Sequence, residues 1–298
     1  MRVAVSGSHG LIGSAVAASL RARGDQVVVL VRRDAGTPEE IAWDLAGGRI
    51  DAARLEGVDA AIHLAGATLA SRWTPEQKAA IQTTRRQGTE LFARALAGLG
   101  RRPRVLISAC AVGYYGNRGD EVLSETSGPG TGFLAEVCRD WEAAADPARQ
   151  AGIRVVNPRF GVVLAGGGGI LAKIVPIFKM GAGGPLGHGR QYLPWVAIDD
   201  AVGALLLALD RDDIDGPLNV VSPRVFTNRE FTSALAHVLG RPAVIPVPAA
   251  ALRAMFGEMA DEALLAGQRV DPVRLRSAGY AFRFAELEPA LRHALATA

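Results

Sequence analysis

Three glycines spaced three apart, Gly7, Gly10 and Gly13, end the apolar run Val3-Ala4-Val5 and open an alanine-rich stretch from Ser14 to Arg23. The chemistry of that spacing is phosphate binding. Bare backbone lets a pyrophosphate lie against the chain and take turn dihedrals that a side chain would block. The free N–H groups of the following helix then face the phosphates. A strand before the glycines and a helix after them make Gly7-Ser8-His9-Gly10-Leu11-Ile12-Gly13 a dinucleotide-binding turn rather than a merely structural one.

A second chemical signal follows the next apolar run, Val27 to Val31. Arg32 and Arg33 stand where an NAD-specific fold places an acid on the adenosine ribose. Guanidinium groups suit a 2′-phosphate instead, so the expected cofactor is NADP. Two solvated loop arginines are the competing reading. A third signal is the run Ala60 to His63, which leads into Leu64, Ala65 and Gly66. Gly66 is expected to let that loop approach the cofactor. His63 lies inside the apolar run, and a packed, hydrogen-bonded core histidine is expected there.

The elements that must hold these residues read as strands at Val3 to Ser6, Val27 to Val31, Ala60 to His63, Arg104 to Ser108 and Ile153 to Leu164, alternating with helices. One of those helices runs from Ser71 to Gly98, with Thr74 as its cap and Pro75 in its first turn. Its arginines Arg85, Arg86 and Arg94 read as a solvated face. Alternation of this kind predicts an α/β fold, a Rossmann-type doubly wound parallel sheet with a smaller C-terminal α/β substrate domain. The core is expected over 1–165, with 190–222 returning to it, and 166–189 and 223–298 forming the smaller region. A chain of 298 residues, 49% hydrophobic and 21% charged, can bury a core of that size.

Composition also removes function classes. The net charge of +3 is spread along the chain without a basic, aromatic-interleaved patch, so no nucleic-acid partner is expected. No apolar run has the length of a membrane span and no secretory pattern opens the chain, so a cytoplasmic protein is expected. Cys110 and Cys138 are expected as free thiols. No metal-ligand cluster is visible, and a monomer or homodimer is expected.

From Arg104 the chain continues through Ser108-Ala109-Cys110-Ala111-Val112 into Gly113-Tyr114-Tyr115-Gly116. Together with the glycine turn and the Leu64 to Gly66 loop, this resembles the extended short-chain dehydrogenase/reductase superfamily. Within it the chain is most similar to an atypical, epimerase-like family often labelled putative nucleoside-diphosphate-sugar epimerase or putative cell-division inhibitor. Ser108 to Gly116, Trp141-Glu142, Arg159 to Leu164, Gly181 to Gln191 and Trp195 to Asp200 carry the resemblance, which spans nearly the whole chain. It implies a nicotinamide enzyme with a Rossmann core.

The superfamily's acid is a tyrosine four residues before a lysine, whose ammonium brings a phenol of pKa about 10 into working range. That pair is absent here. The residues four positions after Tyr114, Tyr115, Tyr192 and Tyr280 are Arg118, Gly119, Val196 and Phe284. Aligning the Phe133 to Glu142 helix on Glu142 puts Leu134 and Cys138 at the two sites; a shift of one gives Phe133 and Val137. Cys110 falls where the superfamily's active-site serine usually sits, with Ser108 on the same strand face. The candidate catalytic residues are therefore Ser108, Cys110 and Tyr115, with Glu136 a further proton source and Arg139 a neighbour able to lower the Tyr115 pKa. Packing tyrosines are the competing reading.

The resemblance also implies that Arg159 passes beside the nicotinamide, touching carboxamide, phosphate or substrate; a structural salt bridge competes equally. Gly166 to Gly169 reads as a link into a helix from Ile170 to Met180. In sugar-nucleotide enzymes an arginine two residues after the glutamine grips the diphosphate, but Leu193 stands there. Asp199 and Asp200 read first as helix caps. Val244 to Val247 reads as a short strand. The expected function is an NADP-dependent oxidoreductase acting on a small carbonyl or alcohol. A non-catalytic NADP(H) sensor is the alternative, and sugar-nucleotide epimerisation the third.

Overall fold

The computed structural model describes residues 1–297. Its centre is a nine-stranded sheet. The strands are β1 (Arg2–Ser6), β2 (Gln26–Val31), β3 (Glu40–Asp44), β4 (Arg49–Ile50), β5 (Ala60–His63), β6 (Val105–Ser108), β7 (Cys110–Ala111), β9 (Arg154–Phe160) and β13 (Gly216–Val220). Their order is β13-β9-β6-β5-β1-β2-β3-β4, with β7 also paired to β9. All are parallel except β4, which forms an antiparallel edge hairpin with β3. The short strand β8 (Val122–Leu123) pairs with β15 (Arg269–Val270), β10 (Val162–Leu164) with β12 (Trp195–Ala197), and β11 (Tyr192–Leu193) with β14 (Phe226–Thr227).

Strand alternation decides which helix covers which face. Val3, Val5, Ile62 and Ile107 point to α1 (Leu11–Ala22) and α6 (Ile198–Asp210). Ala4, Val28, Leu30, Ala61 and Leu106 point to α2 (Pro75–Ala97) and α4 (Asp146–Gln150). Between the last two, α3 (Phe133–Ala143) packs on α2. The smaller region has its own core of Leu164, Phe178, Trp195, Phe231, Leu235 and Leu291. It is built from α5 (Gly169–Lys179), α7 (Asn228–Leu239) and the terminal helix Leu287–Ala296.

The expected strands and the long helix are present. In α2, Thr74 Oγ1 accepts the Gln77 N–H at 3.2 Å and Pro75 fills the first position. Three readings change. Ile153 to Leu164 divides at Gly161, where a Cβ would come within 2.7 Å of the Pro194 carbonyl oxygen, so the chain leaves the central sheet to pair with β12. Val244 to Val247 is not a strand and makes only an isolated bridge between Leu186 and Val247, because Pro242, Pro246 and Pro248 deny the segment a ladder of donors. Asp200 does not cap α6: its carboxylate accepts the Arg283 N–H at 2.7 Å and the Phe284 N–H at 2.9 Å, binding the C-terminal segment to the core.

His63 is the packed core histidine expected. It is fully buried between Trp43 and Phe92, with ring centroids at 5.9 and 5.6 Å. Its Nδ1 and Ser6 Oγ share a hydrogen bond of 2.6 Å. Burial pushes its pKa down to about 4. The unfolded chain, with a histidine of ordinary pKa, therefore binds the proton that the folded chain refuses. Stability present above pH 6.5 is lost as pH falls toward 4, by about 3 kcal/mol from this residue. Denaturant titrations across that window are expected to show the loss, and His63→Asn to flatten it. An unchanged slope in the variant would refute the assignment.

Candidate functional site

Strand order reverses between β1 and β5, and the crevice beyond their carboxyl ends is where open α/β sheets hold ligands. The glycine turn fills one wall of it. Gly7 has φ +70°, and a Cβ there would lie 2.7 Å from the Leu64 carbonyl carbon and 2.8 Å from the Ala65 nitrogen. A Cβ on Gly13 would run into the Gly7 carbonyl oxygen. These two glycines thus bring α1, the turn and the Leu64–Gly66 loop into backbone contact. Gly10 instead faces open space, with the Gly7 oxygen as its sole near neighbour at 3.2 Å. It caps α1 without a side-chain hydrogen bond, and no acid stands in the first turn. The helix therefore presents an uncompensated positive end at a bare backbone, which fits a diphosphate.

Ser8, His9, Leu11 and Ile12 complete this turn, and Leu11 also supports Gly168 and Gly169, whose added Cβ atoms would meet its methyl groups at 2.6 and 3.1 Å. Across the crevice, Leu64 donates its N–H to Ser6 Oγ at 3.2 Å, so the Ser6–His63 pair fixes the loop holding Leu64, Ala65 and Gly66. The two arginines after β2 separate. Arg33 forks onto Glu40 at 2.5 and 2.9 Å and is committed there, whereas Arg32 is exposed and makes no ion pair among the described residues.

Next to the Gly66 loop lies a pocket of about 220 Å³, lined by Arg85, Ala111, Leu134, Cys138, Trp141 and Tyr192 among others. Leu134 and Cys138 both line it, whereas of the alternative pair Val137 does and Phe133 does not. Leu193 is also in the wall, leaving no charge there.

None of the expected catalytic residues opens into this pocket. Ser108 is fully buried, and its Oγ has no partner. Cys110 is buried with its thiol 3.7 Å from the Cys138 carbonyl oxygen, and burial pushes its pKa well up. The strand residue that reaches the pocket is Ala111, on the opposite face of the chain. Tyr115 is fully buried: its hydroxyl donates to Asn219 Oδ1 at 2.7 Å, with the Ser124 carbonyl oxygen at 3.0 Å, and accepts from Arg159 Nη1 at 2.9 Å. Burial raises this phenol to about 12 even beside Arg159, the opposite of what an acid needs. Arg139 lies elsewhere, on the surface with Asp140, and Glu136 is exposed.

Arg159, expected beside the nicotinamide, is committed to protein partners. Its guanidinium forks onto Glu142 at 2.7 and 2.8 Å and lies 3.5 Å over the Tyr114 ring. Burial alone would lower its pKa, but the Glu142 fork outweighs it and holds the group above its usual range.

Sequence reasoning missed three residues. Arg85 is not on a solvated face: it is 7% exposed. Its signal was position, since Ile81, Arg85, Gly88, Phe92 and Leu96 follow one helical stripe. Tyr192 lines the pocket, and its hydroxyl has no hydrogen-bond partner among the described residues. Glu262 also lines it, accepting the Phe133 and Leu134 N–H groups at 2.8 and 2.7 Å and so capping α3 from the C-terminal region.

Residues 3–221 match the model of the NAD dependent epimerase/dehydratase family. The chain belongs to that family. Residues 247–294 match a second model, described as a domain of unknown function, DUF1731. An epimerase family protein of Mycobacterium bovis is 44% identical over 98% of this chain and 97% of its own. Among solved structures, the human epimerase family protein SDR39U1 (isoform 2) with NADPH is 34% identical, covers both chains fully and superposes with a TM-score of 0.89. A nucleoside-diphosphate sugar epimerase from Corynebacterium glutamicum is 35% identical over 99% of this chain and 58% of its own, with a TM-score of 0.82. Within this epimerase family the glycine cradle and the Leu64–Gly66 wall thus sit on a full-length framework, while Ser108, Cys110 and Tyr115 lie buried outside the pocket.

Two variants test that reassignment. Tyr115→Phe is expected to lower unfolding stability by about 1–3 kcal/mol, because Asn219 Oδ1 and Arg159 each lose a buried partner. Arg159→Met is expected to cost about 3 kcal/mol by leaving the half-buried Glu142 unpaired. Chemical denaturation measures both, and wild-type stability in either variant would contradict the network.

Proposed function

We propose that this chain is an NADP(H)-dependent oxidoreductase acting on a small carbonyl or alcohol. The carrying observation is the uncapped glycine cradle at the sheet's switch point together with a partly open, mostly apolar pocket beside the Gly66 loop. The NADPH in the crystal structure of the human relative and the free Arg32 at the end of β2 support the phosphorylated cofactor. In this reading Gly7, Gly10, Gly13 and the start of α1 hold the diphosphate, Arg32 the 2′-phosphate, and Leu64 to Gly66 flank the adenosine side.

When bound, the reduced dinucleotide supplies a hydride to the carbonyl carbon. The chain's own work is to seat that carbon, exclude water and protonate the oxygen. Leu134, Val137, Phe160 and Leu193 make the wall that excludes water. Tyr192 gives its phenol proton to the carbonyl oxygen, and solvent restores it; oxidation of an alcohol runs the same transfers backwards. A sugar nucleotide fits this pocket poorly, since about 220 Å³ is below the range of sites for larger ligands and no arginine stands at Leu193. The sensor reading draws on the same absent pair and keeps the cradle without turnover.

Calorimetric titration is expected to show NADPH binding more tightly than NADH, with Arg32→Ala weakening NADPH by about tenfold and leaving NADH unchanged. Gly13→Ala is expected to abolish binding of both. Carbonyl reduction followed at the nicotinamide absorbance band, lost in Tyr192→Phe, separates enzyme from sensor. Absence of NADPH binding in the wild type would remove both readings.

A further inference from the structure

Arg85 carries a charge the protein does not answer. It is 7% exposed, and Nη1 alone is bonded, to the Ala67 carbonyl oxygen at 3.0 Å and more weakly to the Ile81 carbonyl oxygen at 3.5 Å. Nε and Nη2 have no hydrogen-bond partner, and no carboxylate pairs with the group, among the described residues. Glu262, the acid in the pocket wall, is occupied by the start of α3, and Glu142 further along α3 is occupied by Arg159. Instead the guanidinium lies 4.8 Å from the Trp141 ring, and a Cβ on Gly66 would come within 3.3 Å of its Cζ. It is a wall of the pocket.

A buried unpaired cation is costly, by several kcal/mol, and arginine cannot escape by losing its proton. Lysine or histidine would have that escape. The chain therefore keeps a permanent positive charge, with two N–H donors unspent, at the edge of a small, mostly apolar cavity whose other charged lining residue, Glu262, is held by the Phe133 and Leu134 N–H groups. A bidentate carboxylate is the ligand whose geometry matches a guanidinium fork and whose charge cancels it. Neutral acceptors such as a carboxamide satisfy the donors but leave the charge unbalanced.

We infer that Arg85 is the anchor for a substrate carboxylate, and that the pocket takes a small organic acid whose short apolar chain bears the reacting carbonyl or alcohol. The carboxylate anchor stands on the geometry of Arg85 alone, while the reacting group rests on the oxidoreductase reading.

The test uses acids that cannot react. Butanoate and pentanoate are titrated against the full chain, with and without NADPH, beside butanamide and pentanamide of the same shape, with binding read by ligand-observed NMR. The carboxylates are expected to bind at least tenfold more tightly than the amides. Arg85→Met should erase that preference, and Arg85→Lys should retain part of it. Arg85→Met should also melt at or above the wild-type temperature, because it removes an uncompensated charge and keeps the packed stem. Equal binding of acid and amide to the wild type, no binding of either, or a lower melting temperature in Arg85→Met with the preference intact would overturn the assignment. Because these ligands receive no hydride, acid-selective binding without turnover of any oxo acid would refute the oxidoreductase reading and leave the anchor. Turnover of neutral ketones with no preference for acids would do the reverse.

Discussion

The buried fork between Glu142 and Arg159 is the interaction on which the pocket depends. Glu142 is on α3 and Arg159 on β9, so the pair fixes the helix that presents Leu134, Cys138 and Trp141 against the sheet. Arg159 extends the tie to the Tyr115 hydroxyl, Tyr115 to Asn219 on β13, and the Asn219 side chain to the Asp271 carbonyl oxygen at 3.0 Å. The backbone N–H of Asn219 and that of Arg274 both end on buried Glu125. One continuous polar network thus joins α3, the turn after β7, two core strands and the C-terminal region. Buried networks of this kind are stable only when every member is satisfied, which is why the tyrosine here has a structural use and no spare proton.

The same dependence explains what the C-terminal region contributes to the site. Helix α3 begins after Gly132, at φ +102°, a residue with no side chain to cap it. Glu262 supplies the cap from outside, and a Cβ on Gly132 would come within 2.8 Å of its carboxylate. Asp200 on α6 holds the later segment through the Arg283 and Phe284 amides. The region matching the domain of unknown function is therefore clamped to the core at two ends, and one clamp is itself a pocket wall.

Much of this was legible in the sequence, for a physical reason. Gly7 and Gly13 are demanded by backbone contacts that no other residue permits, and such steric demands leave an unambiguous mark. Buried parallel strands likewise appear as apolar runs. Face assignment in those runs is another matter. Apart from Ser108, Val105 to Val112 is apolar on both sides, so nothing in it says whether Cys110 or Ala111 meets the ligand, and a shift of one residue moves every side chain to the other face. Partners distant in sequence are also silent: Glu142 and Asn219 consume Arg159 and Tyr115, and neither is signalled by the motif around them. Arg85 was misread because its residue type argues for solvent, while its helical spacing argued for the core.

The positive charge of the site has moved rather than vanished. On the alignment that places the superfamily's lysine at Cys138 of α3, the same pocket receives Arg85 from α2 instead. An ammonium and a guanidinium are not equivalent in that place. Lysine can lower a neighbouring phenol's pKa and also relay its proton, whereas arginine holds its proton at any pH that leaves the protein folded. A pocket built around arginine can therefore bind and orient an anion strongly but cannot shuttle protons through the group that binds it. Binding and proton transfer must fall to different residues. With Tyr115, Ser108 and Cys110 sealed in the core, the proposed chemistry assigns that proton to Tyr192, which lines the pocket and whose hydroxyl makes no hydrogen bond among the described residues.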